Sequence, residues 1–142
     1  MNRLTGTDHS NSIVSLAGND VLPGDAGNDT LAGGDNEDSV NGGAGRDILH
    51  GDRGNDSLIG DGDSDVLSEG LGTDCMKGGK SADLLSGKDR GASLFGADGA
   101  GSLFGDDGIN SLEGTSTKSV RRVGQQYVDS MDGGDDADLG RE

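Results

Sequence analysis

Eight aspartates, Asp20, Asp29, Asp38, Asp47, Asp56, Asp65, Asp74 and Asp83, follow one another at intervals of nine residues. Glycines accompany them at fixed places. Numbering each nine-residue unit so that Asp is sixth, Gly24, Gly42, Gly51 and Gly60 are first and Gly18, Gly27, Gly45 and Gly54 are fourth. Glycine allows positive φ, so such a stretch can curl with its carbonyl oxygens aimed at one spot. The aspartate adds a carboxylate there. Calcium is a hard cation that takes six to eight oxygens at about 2.3–2.6 Å, in geometry loose enough to mix carbonyls with carboxylates. These eight aspartates and eight glycines are the candidate metal-binding residues. Asp and Gly favour turns in any protein, but turn preference explains isolated cases and not eight in one frame.

The elements that must hold them are short strands. The frame runs without a gap from Gly6 to Glu113, twelve units in all. Its eighth place reads Ile13, Leu22, Leu31, Val40, Leu49, Leu58, Leu67, Met76, Leu85, Leu94, Leu103 and Leu112. Strand side chains alternate between faces, so the middle residue of each unit's last three enters a core and its neighbours face out. The acidic place begins with Asn11 and ends with Ala92, Gly101 and Asn110, so the array is expected to outlast its metal sites, with residues 87–113 metal-poor. At the fourth place Asn36 and Asp63 tolerate left-handed backbone, and His9, Ser81 and Arg90 suit it less. Glu69 replaces a first-place glycine, so the turn over 69–74 is expected to be distorted.

The unit Gly42-Gly43-Ala44-Gly45-Arg46-Asp47-Ile48-Leu49-His50 spells G-G-x-G-x-D-x-U-x, with U aliphatic. Over about three quarters of its length the chain therefore resembles the RTX, or haemolysin-type, calcium-binding nonapeptide repeat family. The resemblance implies an all-β fold, a right-handed parallel β-roll (a β-solenoid) of about six coils, two units to a coil. It also implies that each calcium is shared by units n and n+2. That pairs Asp20 with Asp38, Asp29 with Asp47, Asp38 with Asp56, Asp47 with Asp65, Asp56 with Asp74 and Asp65 with Asp83. About six calcium ions follow, which would bring the formal charge of −16 to about −4. The function implied is a calcium-binding module that folds as it binds, a structural part of a secreted, extracellular protein. Relatives are commonly exported by type I machinery and attached to an enzyme or toxin.

Composition sets further bounds. With 29% hydrophobic and 2% aromatic residues and 29 glycines, the chain would read as disordered without its frame, and bound cations supply the missing stabilisation. The acidic balance argues against nucleic acid and anionic membranes. No apolar run is long enough for a transmembrane helix, and Met1-Asn2-Arg3-Leu4-Thr5-Gly6 lacks a signal-peptide core. Cys75 is alone, on an outward strand place. A monomer is expected.

Residues 1–5 read as a lead-in, 6–113 as the repeats and 114–142 as a cap or disordered tail. Val120, Val123, Tyr127, Val128 and Met131 have the spacing of a helical cap, interrupted by Gly124. The tail has two readings, an export signal or a solvated acidic end from Asp132 to Glu142.

Other motifs fail. Asp61-Gly62-Asp63-Ser64-Asp65 starts like an EF-hand, but Val66 takes the sixth place and Gly72 the twelfth. Gly79-Lys80-Ser81 lacks the first glycine of a phosphate loop. His9 and His50 fall on turn or outward places and no hydrolase motif is present, so no enzyme activity is expected. The alternative is a surface-recognition solenoid for polysaccharide or protein; ice is disfavoured because the third place reads Ala26, Asp35, Ala44, Arg53, Gly62, with no Thr row. Phe95 and Phe104 are its candidate anchors.

Overall fold

Each of the twelve units forms one strand around its eighth-place side chain. The computed structural model describes residues 1–89, 91–97, 101–107, 110–114, 120–123 and 130–133. The strands are β1 (Ser12–Val14), β2 (Val21–Pro23), β3 (Thr30–Asp35), β4 (Ser39–Gly43), β5 (Ile48–Arg53), β6 (Ser57–Asp61) and β7 (Val66–Leu71). Then follow β8 (Cys75–Gly79), β9 (Leu84–Asp89), β10 (Ser93–Ala97), β11 (Ser102–Asp107), β12 (Ser111–Gly114), β13 (Val120–Val123) and β14 (Ser130–Gly133). Odd strands make one parallel sheet and even strands the other, each in sequence order, as a β-solenoid requires.

Register follows the repeat. Along the odd sheet Ile13, Leu31, Leu49, Leu67, Leu85 and Leu103 stand side by side. Leu22, Val40, Leu58, Met76, Leu94 and Leu112 do so along the even sheet. Neighbours are eighteen residues apart, two units, so every strand meets its own kind. The two rows form one core. All of these side chains are fully buried except Ile13, which packs against the core with Leu4 at its first end. The lead-in is tied to the sheet: Leu4 N–H donates to the Val21 carbonyl at 3.0 Å.

Most strands run beyond the unit that starts them. In β3, Leu31 and Gly33 both point inward, so the first-place residue of the next unit is a second interior position. The turn to the opposite sheet starts there.

The helical cap expected over 119–131 is not formed at either end. Val120–Val123 is a strand on the edge of β11 and Ser130–Gly133 a strand on the edge of β12. The last coil offers a row of unpaired backbone groups, and β-branched valines suit an added strand better than a helix broken by glycine. The intervening residues 124–129, and the tail beyond Gly133, lie outside the described residues. No helix among the described residues is long and apolar enough to cross a membrane.

Candidate metal centre

The aspartates stand inside the solenoid in two ladders. In each rung the backbone N–H of one sixth-place residue donates to Oδ1 of the aspartate two units on. Asp20 N–H reaches Asp38 at 2.7 Å, Asp38 reaches Asp56 at 2.8 Å and Asp56 reaches Asp74 at 2.6 Å. On the opposite side Asp29 N–H reaches Asp47 at 2.8 Å, Asp47 reaches Asp65 at 2.8 Å and Asp65 reaches Asp83 at 3.0 Å. All six expected pairs are brought together. The eight side chains are 1–4% exposed.

One oxygen of each carboxylate is thereby used. The second, Oδ2, has no hydrogen-bond partner in Asp29, Asp38, Asp47, Asp56, Asp65, Asp74 or Asp83. A buried polar atom left in this state is costly, and repetition along both ladders makes it a property of the turn and not a local accident. Asp20 is the exception. Its unit begins with Ser15 instead of glycine, and the Ser15 hydroxyl donates to Asp20 Oδ2.

Two sorts of glycine hold this arrangement. At the fourth place Gly18, Gly27, Gly45 and Gly54 have φ between +112° and +141°, as the tight turn requires. Asn36, Asp63 and Ser81 take positive φ at the same place, Ser81 despite its poorer fit. First-place glycines do not need positive φ, contrary to the expectation from the motif. They need space. A Cβ on Gly24 would stand 2.5 Å from Asp29 Oδ2, one on Gly33 2.5 Å from Asp38 Oδ2 and one on Gly51 2.6 Å from Asp56 Oδ2; Gly42 and Gly60 are closed off in the same way by Asp47 and Asp65. Carbonyls converge as well: the Gly42 carbonyl lies against Gly24, and that of Gly27 against Gly45.

Burial and neighbouring carboxylates set the proton affinities. Desolvation pushes Asp56 and Asp65 up to about 7 and Asp83 to about 6, opposed by the backbone N–H each accepts from. Desolvation also raises Asp38, Asp47 and Asp74. Asp20 is lowered, first by the Ser15 hydroxyl. The ladder thus resists full ionisation except where a positive charge or a donor meets it.

Among the described residues no three His, Cys, Asp or Glu side chains gather as a metal cluster. Any ion here would draw on two carboxylates and complete its shell with main-chain carbonyls, a donor set that fits calcium and that zinc, preferring nitrogen and sulfur, would not select. His50 is a half-buried residue on the outer side of β5, between Ala32 and Ser68, away from the ladders. Cys75 is exposed, as its outward place predicts.

Three interior residues escaped the frame. Asn110 is buried and accepts the Ala92 N–H at 2.9 Å, so an amide continues the ladder where charge has gone. Ser15 caps its first carboxylate. Glu69, expected only to distort its turn, is fully buried and accepts the Lys88 N–H at 2.8 Å.

A parallel β-solenoid with aliphatic rows and interior aspartates at each turn defines a repeat module built around cations. The sequence comparison agrees: the model described as RTX calcium-binding nonapeptide repeat (4 copies) matches residues 5–40, 32–67 and 41–74, so these residues are repeats of that family. It is accordingly a calcium-binding repeat module. Comparison with curated proteins finds no match.

Proposed function

We propose that this chain is a calcium-responsive structural module of an extracellular protein, extended where calcium is scarce and folded where it is plentiful. Asp20, Asp29, Asp38, Asp47, Asp56, Asp65, Asp74 and Asp83 are its carboxylate ligands, with main-chain oxygens of the glycine turns, Gly18, Gly24, Gly27, Gly42, Gly45, Gly51, Gly54 and Gly60, completing about six shared sites. Calcium supplies positive charge to carboxylates that the fold buries without a counterion. The chain's own residues converge on it only in the coil, so binding and folding are one event. The observation that carries this reading is the row of seven buried Oδ2 atoms without partners. The match to RTX calcium-binding repeats supports a setting where calcium is plentiful, and export by type I machinery belongs to the same proposal.

Replacing Asp47 tests the shared sites. Asp47→Asn keeps an acceptor for the Asp29 N–H but removes the charge common to the pairs with Asp29 and Asp65. Equilibrium dialysis should show loss of two ions, while Asp8→Asn, at an exposed turn, should lose none. Equal retention in both variants would overturn the assignment.

A further inference from the structure

We propose that Glu69 and Asp74 form an additional calcium site, between the turns 69–74 and 87–92, in which Glu69 stands in for the carboxylate that Ala92 lacks. This rests on the calcium reading above and concerns a pair of turns outside the six. By register the partner of Asp74 two units on is Ala92, buried and without an acceptor. In regular units the space beside the first-place glycine is filled by that unit's own aspartate. At Gly87 it is filled from the neighbouring coil: a Cβ there would stand 3.0 Å from Glu69 Oε1 and 3.2 Å from Ala92 Cβ. The carboxylate reaches forward one coil instead of backward, and its position is the vacated one.

The coils adjust to it. β5 pairs with β7 from Ile48↔Val66 through Arg53↔Leu71, and β9 with β11 through Asp89↔Asp107. Between them, β7 pairs with β9 only as far as Ser68↔Ser86, and the Lys88 N–H turns to Glu69 Oε1. The ladder of main-chain bonds opens where Glu69 enters. Asp74 supplies the independent sign of a ligand. It is 3% exposed, Oδ1 accepts the Asp56 N–H, and Oδ2 has no partner. In the glycine units that oxygen lies beside the first-place residue, which here is Glu69. Two buried carboxylates at one corner repel unless a cation or a proton joins them. A hard divalent cation with room for carbonyl oxygens would take up the unpartnered Asp74 Oδ2 and bridge it to Glu69.

Counting bound ions on the full chain at saturating calcium, by native mass spectrometry, decides it. Glu69→Gln should carry one calcium fewer than the unchanged chain, and the double variant Glu69→Gly with Ala92→Asp should recover it. An unchanged count in Glu69→Gln overturns the site and identifies a shared proton. Should Glu69→Gln fail to fold, Glu69→Gly, which restores the first-place glycine of the regular units, is compared with the unchanged chain: one ion fewer supports the site, and equal counts overturn it. No calcium bound to the unchanged chain would instead sink the calcium reading itself.

Discussion

At the scale of the residue, a first-place glycine and a sixth-place aspartate work as one device. The missing Cβ leaves room for a carboxylate inside the turn, as at Gly51 and Asp56, and that carboxylate then holds the preceding coil by its Oδ1. Ser15 shows the other solution, a hydroxyl that satisfies the second oxygen and lowers the proton affinity of Asp20. Where glycine stands, a proton and the proposed calcium would compete for the same oxygen. Asp56 and Asp65, raised from 3.8 to about 7, keep protons in the folded metal-free chain that an unfolded chain releases. The folded state therefore binds more protons between about pH 4 and 7, and the metal-free roll loses stability as pH rises through that window. Calcium needs those groups ionised. An unfolded chain has its carboxyls ionised well above 3.8, so between about pH 8 and 6 the calcium concentration at the folding midpoint should stay nearly constant, and lowering the pH to about 4 should raise it as protons occupy the unfolded chain's carboxylates. A midpoint that does not rise between about pH 6 and 4 would mean that these carboxyls are not the ligands.

The element is a strand of three to six residues that has no stability alone and borrows it from two neighbours. Leu58 in β6 is fully buried between Val40 of β4 and Met76 of β8, so Leu58→Ala opens a cavity felt on both sides. The expected cost is about 2–5 kcal/mol. Read as a shift of the calcium folding midpoint to higher concentration, it should far exceed that of Ile59→Ala on the outer face of the same strand; similar shifts would put Leu58 elsewhere than the core. Strand place, inward residue and register were legible in the sequence because a period of nine permits one alternation only, and Leu49 and Leu67 meet as the repeat demands. Less legible was the reason for each glycine, since motif letters do not separate a positive φ at Gly45 from the lack of space at Gly42. The helix read over 119–131 fails at its two described ends, 120–123 and 130–131, because helical spacing is a local signal and the open edges of β11 and β12 are not. Glu69 was hidden for a like reason. Its meaning depends on Ala92, twenty-three positions on in sequence and one coil away in space.

The whole molecule is nearly one-dimensional: each coil touches the coils before and after it, and a thin aliphatic interior is flanked by two columns of carboxylates. Such a solenoid propagates order from neighbour to neighbour, and so it propagates disorder too. A formal charge of −16 works against compaction throughout. Cations placed between coils, as proposed, would oppose that repulsion where it is strongest and link neighbouring coils in the same step. Dependence on calcium should then be cooperative along the chain. It should also be selective, because magnesium demands a tighter octahedron of oxygens at about 2.0–2.1 Å. The most direct test is far-ultraviolet circular dichroism of the full chain, first in chelator and then through a calcium titration with a parallel one in magnesium. A steep gain of β signal with calcium alone is expected, from a chain that is unstructured in chelator; a β signal already complete in chelator would contradict it.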